Sequence, residues 1–122
     1  MNVVLWVAQV ILALAFFGAG FDQAFVYEDA GRRMAWVAAL PKRFAVVLGL
    51  VEMVGAIGLI VPAWTGTMPW LTAAAALALA IVMGFAVAYH VSRREIPQIA
   101  FSATFGLVAA FVALGRFFVS PF

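Results

Sequence analysis

Cysteine is absent from the 122 residues, histidine occurs once, and charged side chains make up only 10% of the chain. Each shortage removes a class of chemistry. Without cysteine the chain can form no disulfide, run no dithiol redox chemistry and ligate no iron–sulfur cluster through its own thiolates. With His90 as the sole imidazole, a self-contained histidine-rich metal site is not expected, and no metal ligand set is assigned. A formal charge of +2 built from so few residues provides no basic stripe of the kind that grips nucleic acid, so no nucleic-acid partner is expected.

What the sequence has instead is apolar surface. A hydrophobic content of 68% and a mean hydropathy of +1.17 lie far outside the averages for soluble domains and define an integral membrane protein. Four apolar runs, at about 3–21, 44–62, 70–89 and 99–118, are each long enough to cross a hydrocarbon core of roughly 30 Å. Nothing basic precedes the first run and it is long for the core of a secretory signal, so it is expected to be a retained helix. The links are short, which makes antiparallel neighbours the economical arrangement. The expectation is all-α: an up-down four-helix membrane bundle, a single domain over 1–122.

Small residues recur along these runs at helical spacing. Gly49, Gly55 and Gly58 in the second, Gly84 among the alanines of the third and Gly106 in the fourth mark faces where a neighbouring backbone can approach. Between the first two runs the chain turns polar, with Asp22, Glu28 and Asp29 followed by Arg32, Arg33, Lys42 and Arg43. Inside this loop Met34, Trp36, Val37 and Leu40 form a short apolar stretch, the pattern of a helix lying at the headgroups. Pro41 and Pro62 are expected to bound the second span, and the uncharged link from Ala63 to Pro69 to be a tight turn.

Glu52 stands near the middle of the second run. An acidic side chain at bilayer depth is costly, roughly 2.5–3.5 kcal/mol even on insertion-based scales for a central Asp, so it is kept only in a sheltered interior site. It is the leading candidate for proton exchange or ligand contact; the plainer alternative is a neutral acid that ties helices together by donating a hydrogen bond. Gln9 lies closer in depth than Arg116 and is a candidate donor to the Glu52 carboxyl. Arg116 would sit about 25 Å from the inner side against roughly 12 Å for Glu52, so it is expected to snorkel to the outer headgroups rather than pair with the acid. His90 falls where the third span meets the interface, on the side of Asp22, as a proton-relay or haem-ligand candidate or simply a polar helix end. Ser102 and Thr104 are expected to bond carbonyls of their own helix.

With these features in place, the chain resembles the DoxX family of small four-helix membrane proteins, and its DoxX-like branch in particular. The resemblance rests on Gly20 and the polar turn after it, Pro41, the run Gly49, Glu52, Gly55, Gly58 and Pro62, His90 with Glu95, and the pair Gly115 and Arg116. Family members often carry a Lys-Leu pair soon after the first-span glycine, where this chain has Asp22 and Gln23. The resemblance implies a fold more than an activity: some members look like quinone-linked subunits of thiosulfate oxidation, others are associated with oxidative-stress complexes, and a related animal branch assists receptor assembly.

Two function classes follow. One is a membrane subunit or binding module whose cavity beside Glu52 accepts a lipophilic ligand such as a quinone and works with a membrane or peripheral redox partner, which would bring the electron chemistry the chain lacks. The other is a non-enzymatic assembly protein that docks further membrane subunits through its small-residue faces. A closed cavity beside Glu52 would favour the first. A transporter is a weaker third reading, since no internal repeat is evident. The first and third loops hold Arg32, Arg33, Lys42, Arg43, Arg93 and Arg94, against Arg116 alone on the other side, which predicts cytoplasmic loops, outward termini and an inner (plasma) membrane location. A homodimer through Ala80, Gly84 and Ala88 is also expected.

Overall fold

Away from water, every backbone N–H and C=O has to find its partner within its own segment, so long apolar runs become helices. The computed structural model of the protein describes residues 1–119. Its long helices are α1 (Asn2–Phe25), α4 (Lys42–Thr65), α5 (Trp70–Ser92) and α6 (Ile96–Leu114), the last continued by a π-helical turn at Gly115–Val119. Two short helices, α2 (Tyr27–Arg33) and α3 (Ala35–Ala39), lie between α1 and α4. No strand occurs among the described residues.

The ends obey local chemistry. Pro41 and Pro69 precede α4 and α5, and Pro97 sits in the first turn of α6, where a missing N–H costs nothing. The second span does not stop at Pro62. Its helix runs one turn further to Thr65 and ends at Gly66, whose φ of 74° is the left-handed conformation that glycine adopts without a steric penalty. The first span also outruns its apolar stretch, reaching Phe25, so Asp22 and Gln23 are helical residues rather than the start of a loop.

Consecutive long helices are neighbours, α1 against α4, α4 against α5 and α5 against α6, while α1 and α6 close the ring with the slightest contact. Glycine makes the tightest of these approaches. A Cβ on Gly20 would run into the carbonyl oxygen of Gly49, and one on Gly49 would stand 2.6 Å from the carbonyl oxygen of Gly20. A Cβ on Gly55 would lie 2.8 Å from Leu79, one on Gly58 2.9 Å from Ala75, and one on Gly106 3.0 Å from Met83. Gly84 differs: it faces outward with nothing within 4 Å, so α5 does not use it for packing inside the chain. The alanine–glycine face of α5 is thus divided, with Ala73 and Ala76 in the core and Gly84 and Ala88 outside it.

One half of the bundle is filled by Leu5, Leu12, Leu59, Leu79 and Val112, all fully or almost fully buried. The outward surface is apolar as well; Leu14, Val54, Phe85 and Leu107 are each about 70% exposed, the inverse of a soluble protein and the expected surface of a bundle set in lipid. The other half bears the charged loops and is called the basic end below. There α2 and α3 fold over the bundle on a small core of Ala30, Val37 and Ala45. Ion pairs of Arg33 with Asp22 at 3.4 Å and of Lys42 with Glu28 at 3.1 Å tie this flap to the ends of α1 and α4, and Arg33 also pairs with Asp29 within α2 at 3.1 Å.

Candidate functional site

Because α1 and α6 touch only slightly, the bundle leaves a space on the basic side of its leucine core. This cavity measures about 640 Å³, within the range of small-molecule sites. Its walls are largely Phe, Leu, Ala and Met side chains from all four long helices. Phe44, Phe85 and Phe101 line it and are also more than half exposed, so the rim of the cavity reaches the lipid-facing flank. Phe16 and Phe105 meet edge to face across the α1–α6 side, ring centroids 6.1 Å apart. Toward the loops, Met34, Trp36 and Leu40 of the flap cover it.

Four buried polar side chains interrupt the apolar wall: Gln23, Glu52, His90 and Ser102. Glu52 shares a helix face with Ala45, Gly49, Ala56 and Leu59, the buried side of α4. Side chains lean toward the N-terminus of their own helix, so in an antiparallel pair Glu52 leans to the basic end and Gln23 of α1 leans inward to meet it. Gln23 Nε2 donates to Glu52 Oε2 at 3.3 Å. The other end of the same amide, Gln23 Oε1, is buried and has no hydrogen-bond partner.

His90 lies at the basic end of the cavity, almost fully buried. The chain turns sharply after α5 through Arg94, at a φ of 56°, and the Glu95 N–H donates back to the His90 carbonyl. That turn sets Glu95 Oε1 2.8 Å from His90 Nδ1, with Arg93 Nε on the same oxygen at 3.2 Å. A carboxylate on Nδ1 fixes a proton at that nitrogen and orients the ring. The Trp36 ring stands edge-on to the imidazole at 5.4 Å. Asp22, expected near His90, is instead held by Arg33 of the flap.

The two remaining candidates are not at Glu52. Gln9 lies level with Leu59, about 10 Å further along the bundle, and its Nε2 donates to the Leu59 carbonyl at 2.8 Å rather than to the acid. Its Oε1 accepts from Arg116 Nε at 2.7 Å. Arg116 does not snorkel: it is 3% exposed, and its Nη1 donates to Asn2 Oδ1 at 2.7 Å. Two local features turn it inward. Gly115 admits Leu5 so closely that a Cβ there would lie 2.5 Å from a leucine methyl, and the π-helical turn rotates the following side chain relative to regular α geometry. Arg116 also stacks on Trp6 at 5.8 Å. The polar groups therefore form two centres, Glu52, Gln23 and His90 around the cavity and Asn2, Gln9 and Arg116 at the opposite end.

Gln23 and Asn2 carried no apolar-run signal. Gln23 falls just past the hydropathic end of the first span, and only the extra turn of helix makes it an interior residue. Thr104 bonds the Ala100 carbonyl of its own helix at 2.8 Å, whereas Ser102 faces the cavity. No group of three or more carboxylate, imidazole or thiol side chains suited to a metal ion occurs among the described residues.

Four long apolar helices around a largely apolar cavity define a small integral membrane protein. The chain matches the DoxX-like family over residues 7–112 and belongs to it. The matched stretch holds every residue of the cavity wall and stops short of Gly115 and Arg116. No curated protein and no solved structure gives a significant match to the chain.

Proposed function

We propose that this DoxX-like protein is a ligand-binding membrane module, in which the cavity beside Glu52 receives a lipophilic molecule with a polar head, a quinone being of suitable chemistry, as part of a redox-linked system. The observation that carries this reading is the pairing of Glu52 and Gln23 in the wall of an otherwise apolar cavity of about 640 Å³ whose rim reaches the lipid-facing surface. A helix-tying carboxyl needs no such space. A quinone bound there would supply two-electron, two-proton chemistry that the cysteine-free chain lacks. The chain's own part is to shelter the head from water, hold it at Glu52 and Gln23, and exchange protons through the Glu52 carboxyl, with His90 and Glu95 between the cavity and the loop surface. In the plasma membrane, the basic end would face the cytoplasm and both termini the outside.

The test is Glu52→Gln, which keeps the shape and a donor. The variant should fold and elute as the parent does but fail to retain the lipophilic molecule that the parent carries from a membrane lipid extract, as read by native mass spectrometry. Equal retention by both would sink the ligand reading and leave Glu52 as helix glue.

A second reading, assembly through the outer face of α5, is favoured by one observation: Gly84 and Ala88 are exposed and a Cβ on Gly84 meets nothing. A homodimer or a docked subunit would use this face. Gly84→Leu should then convert a dimer to a monomer in mild detergent; an unchanged mass would count against it.

A further inference from the structure

A cavity in a membrane bundle can be apolar throughout and remain dry, but a buried polar atom inside it needs a partner. Gln23 is 1% exposed, its Oε1 has no hydrogen bond, and it lines the cavity. Its Nε2 is held on Glu52 Oε2, which leaves Oε1 as the amide atom turned to the cavity; the reversed amide, its oxygen taking the hydrogen bond of a neutral Glu52 carboxyl, would offer Nε2 instead and is the outcome the test below reads as a preference for the ether. The atom offered to a guest is thus a carbonyl oxygen, which only accepts.

We propose that the cavity selects a hydroxylic head group, a phenol or an alcohol on an apolar tail, whose O–H donates to Gln23 Oε1. This rests on the ligand-binding reading above and adds to it the polarity of the head and the residue that reads it. Gln23 is then the specificity-determining residue, with Glu52 holding its amide in the accepting orientation. For a quinone couple, the same oxygen favours the dihydroxy form over the dicarbonyl form, because a carbonyl facing Gln23 Oε1 would leave both oxygens without a proton between them.

The experiment compares a long-chain alkylphenol with its methyl ether, two probes of nearly equal shape and apolarity that differ in one donor, by titration against the full chain in mild detergent. The phenol should bind about tenfold or more tightly than the ether, the usual penalty for leaving a buried acceptor unmatched. In Gln23→Met, which keeps the length of the side chain and removes the oxygen, both probes should bind with similar, weak affinity. Equal binding of phenol and ether by the parent, or tighter binding of the ether, overturns the proposal while leaving the ligand reading in place, and needs no variant to be stable. A phenol preference that survives in Gln23→Met also overturns it, since another acceptor would then be responsible. Absence of binding by either probe refutes the ligand reading itself for this class of molecule, and the inference falls with it.

Discussion

Gln9 and Gln23 stand on the same buried face of the same helix, both almost fully enclosed, yet their amides are used in opposite ways. Gln9 is filled at both ends, giving a proton to the Leu59 carbonyl and taking one from Arg116. Gln23 is filled at one end only, on Glu52, and its oxygen opens onto a cavity. A saturated polar group in a bundle fixes how the helices sit; a half-saturated one beside empty space is poised for something that arrives from outside. The difference separates an end of the molecule that holds the fold from an end that can bind.

The largest expected effect breaks the saturated end. Gln9→Met removes the acceptor of a buried guanidinium N–H and the donor to Leu59, and should destabilise the bundle by about 1.5–3 kcal/mol, the range for hydrogen bonds to charged groups. Unfolding by titration with a denaturing detergent checks it; a parent-like midpoint would mean that the Arg116 centre does little for the fold. Glu52→Leu should cost less, about 1 kcal/mol, because it strands only the Gln23 amide and side-chain hydrogen bonds in membrane bundles are modest. The same titration would expose a loss as large as that of Gln9→Met, which would make the cavity end a structural centre too. The smallest effect belongs to the flap. Lys42 and Glu28 are both well exposed, so Lys42→Ala should shift stability by less than about 1 kcal/mol. A larger loss would show that the flap is integral to the bundle and not a cover over it.

Much of the bundle was legible in the sequence because span length and hydropathy are properties of a run, whereas the site depends on where each helix face points. The four spans follow from run length and hydropathy, and spacing marks the close approaches at Gly49, Gly55, Gly58 and Gly106, but the same spacing marks Gly84, which faces outward. Helix ends were less so: hydropathy falls at Asp22, but backbone hydrogen bonding continues to Phe25, and that single turn carries Gln23 into the interior. Depth along a helix can be reckoned at about 1.5 Å per residue, which sets Gln9 nearer Glu52 than Arg116 is, yet it says nothing of the Leu59 carbonyl that claims its amide or of the Arg116 that joins it there. Arg116 was misjudged for a similar reason. Snorkelling is the default for an arginine near a helix end, and the π-helical turn that points it inward has no signature in composition or spacing. The departure from the family's Lys-Leu pair at Asp22 and Gln23 was visible, but its consequence required the neighbouring helix.

The comparison of the two glutamines can be settled in one measurement: the unfolding midpoints of the parent, Gln9→Met and Gln23→Met in the same detergent, each with and without the long-chain alkylphenol. Gln9→Met should be clearly less stable than the parent yet still be stabilised by the phenol, because its cavity is intact. Gln23→Met should lose less stability than Gln9→Met, since one end of its amide is already without a partner, and should gain little from the phenol. If instead Gln23→Met is the less stable of the two and the phenol still stabilises it as it does the parent, the cavity end is structural and the division of the molecule into a holding end and a binding end is wrong.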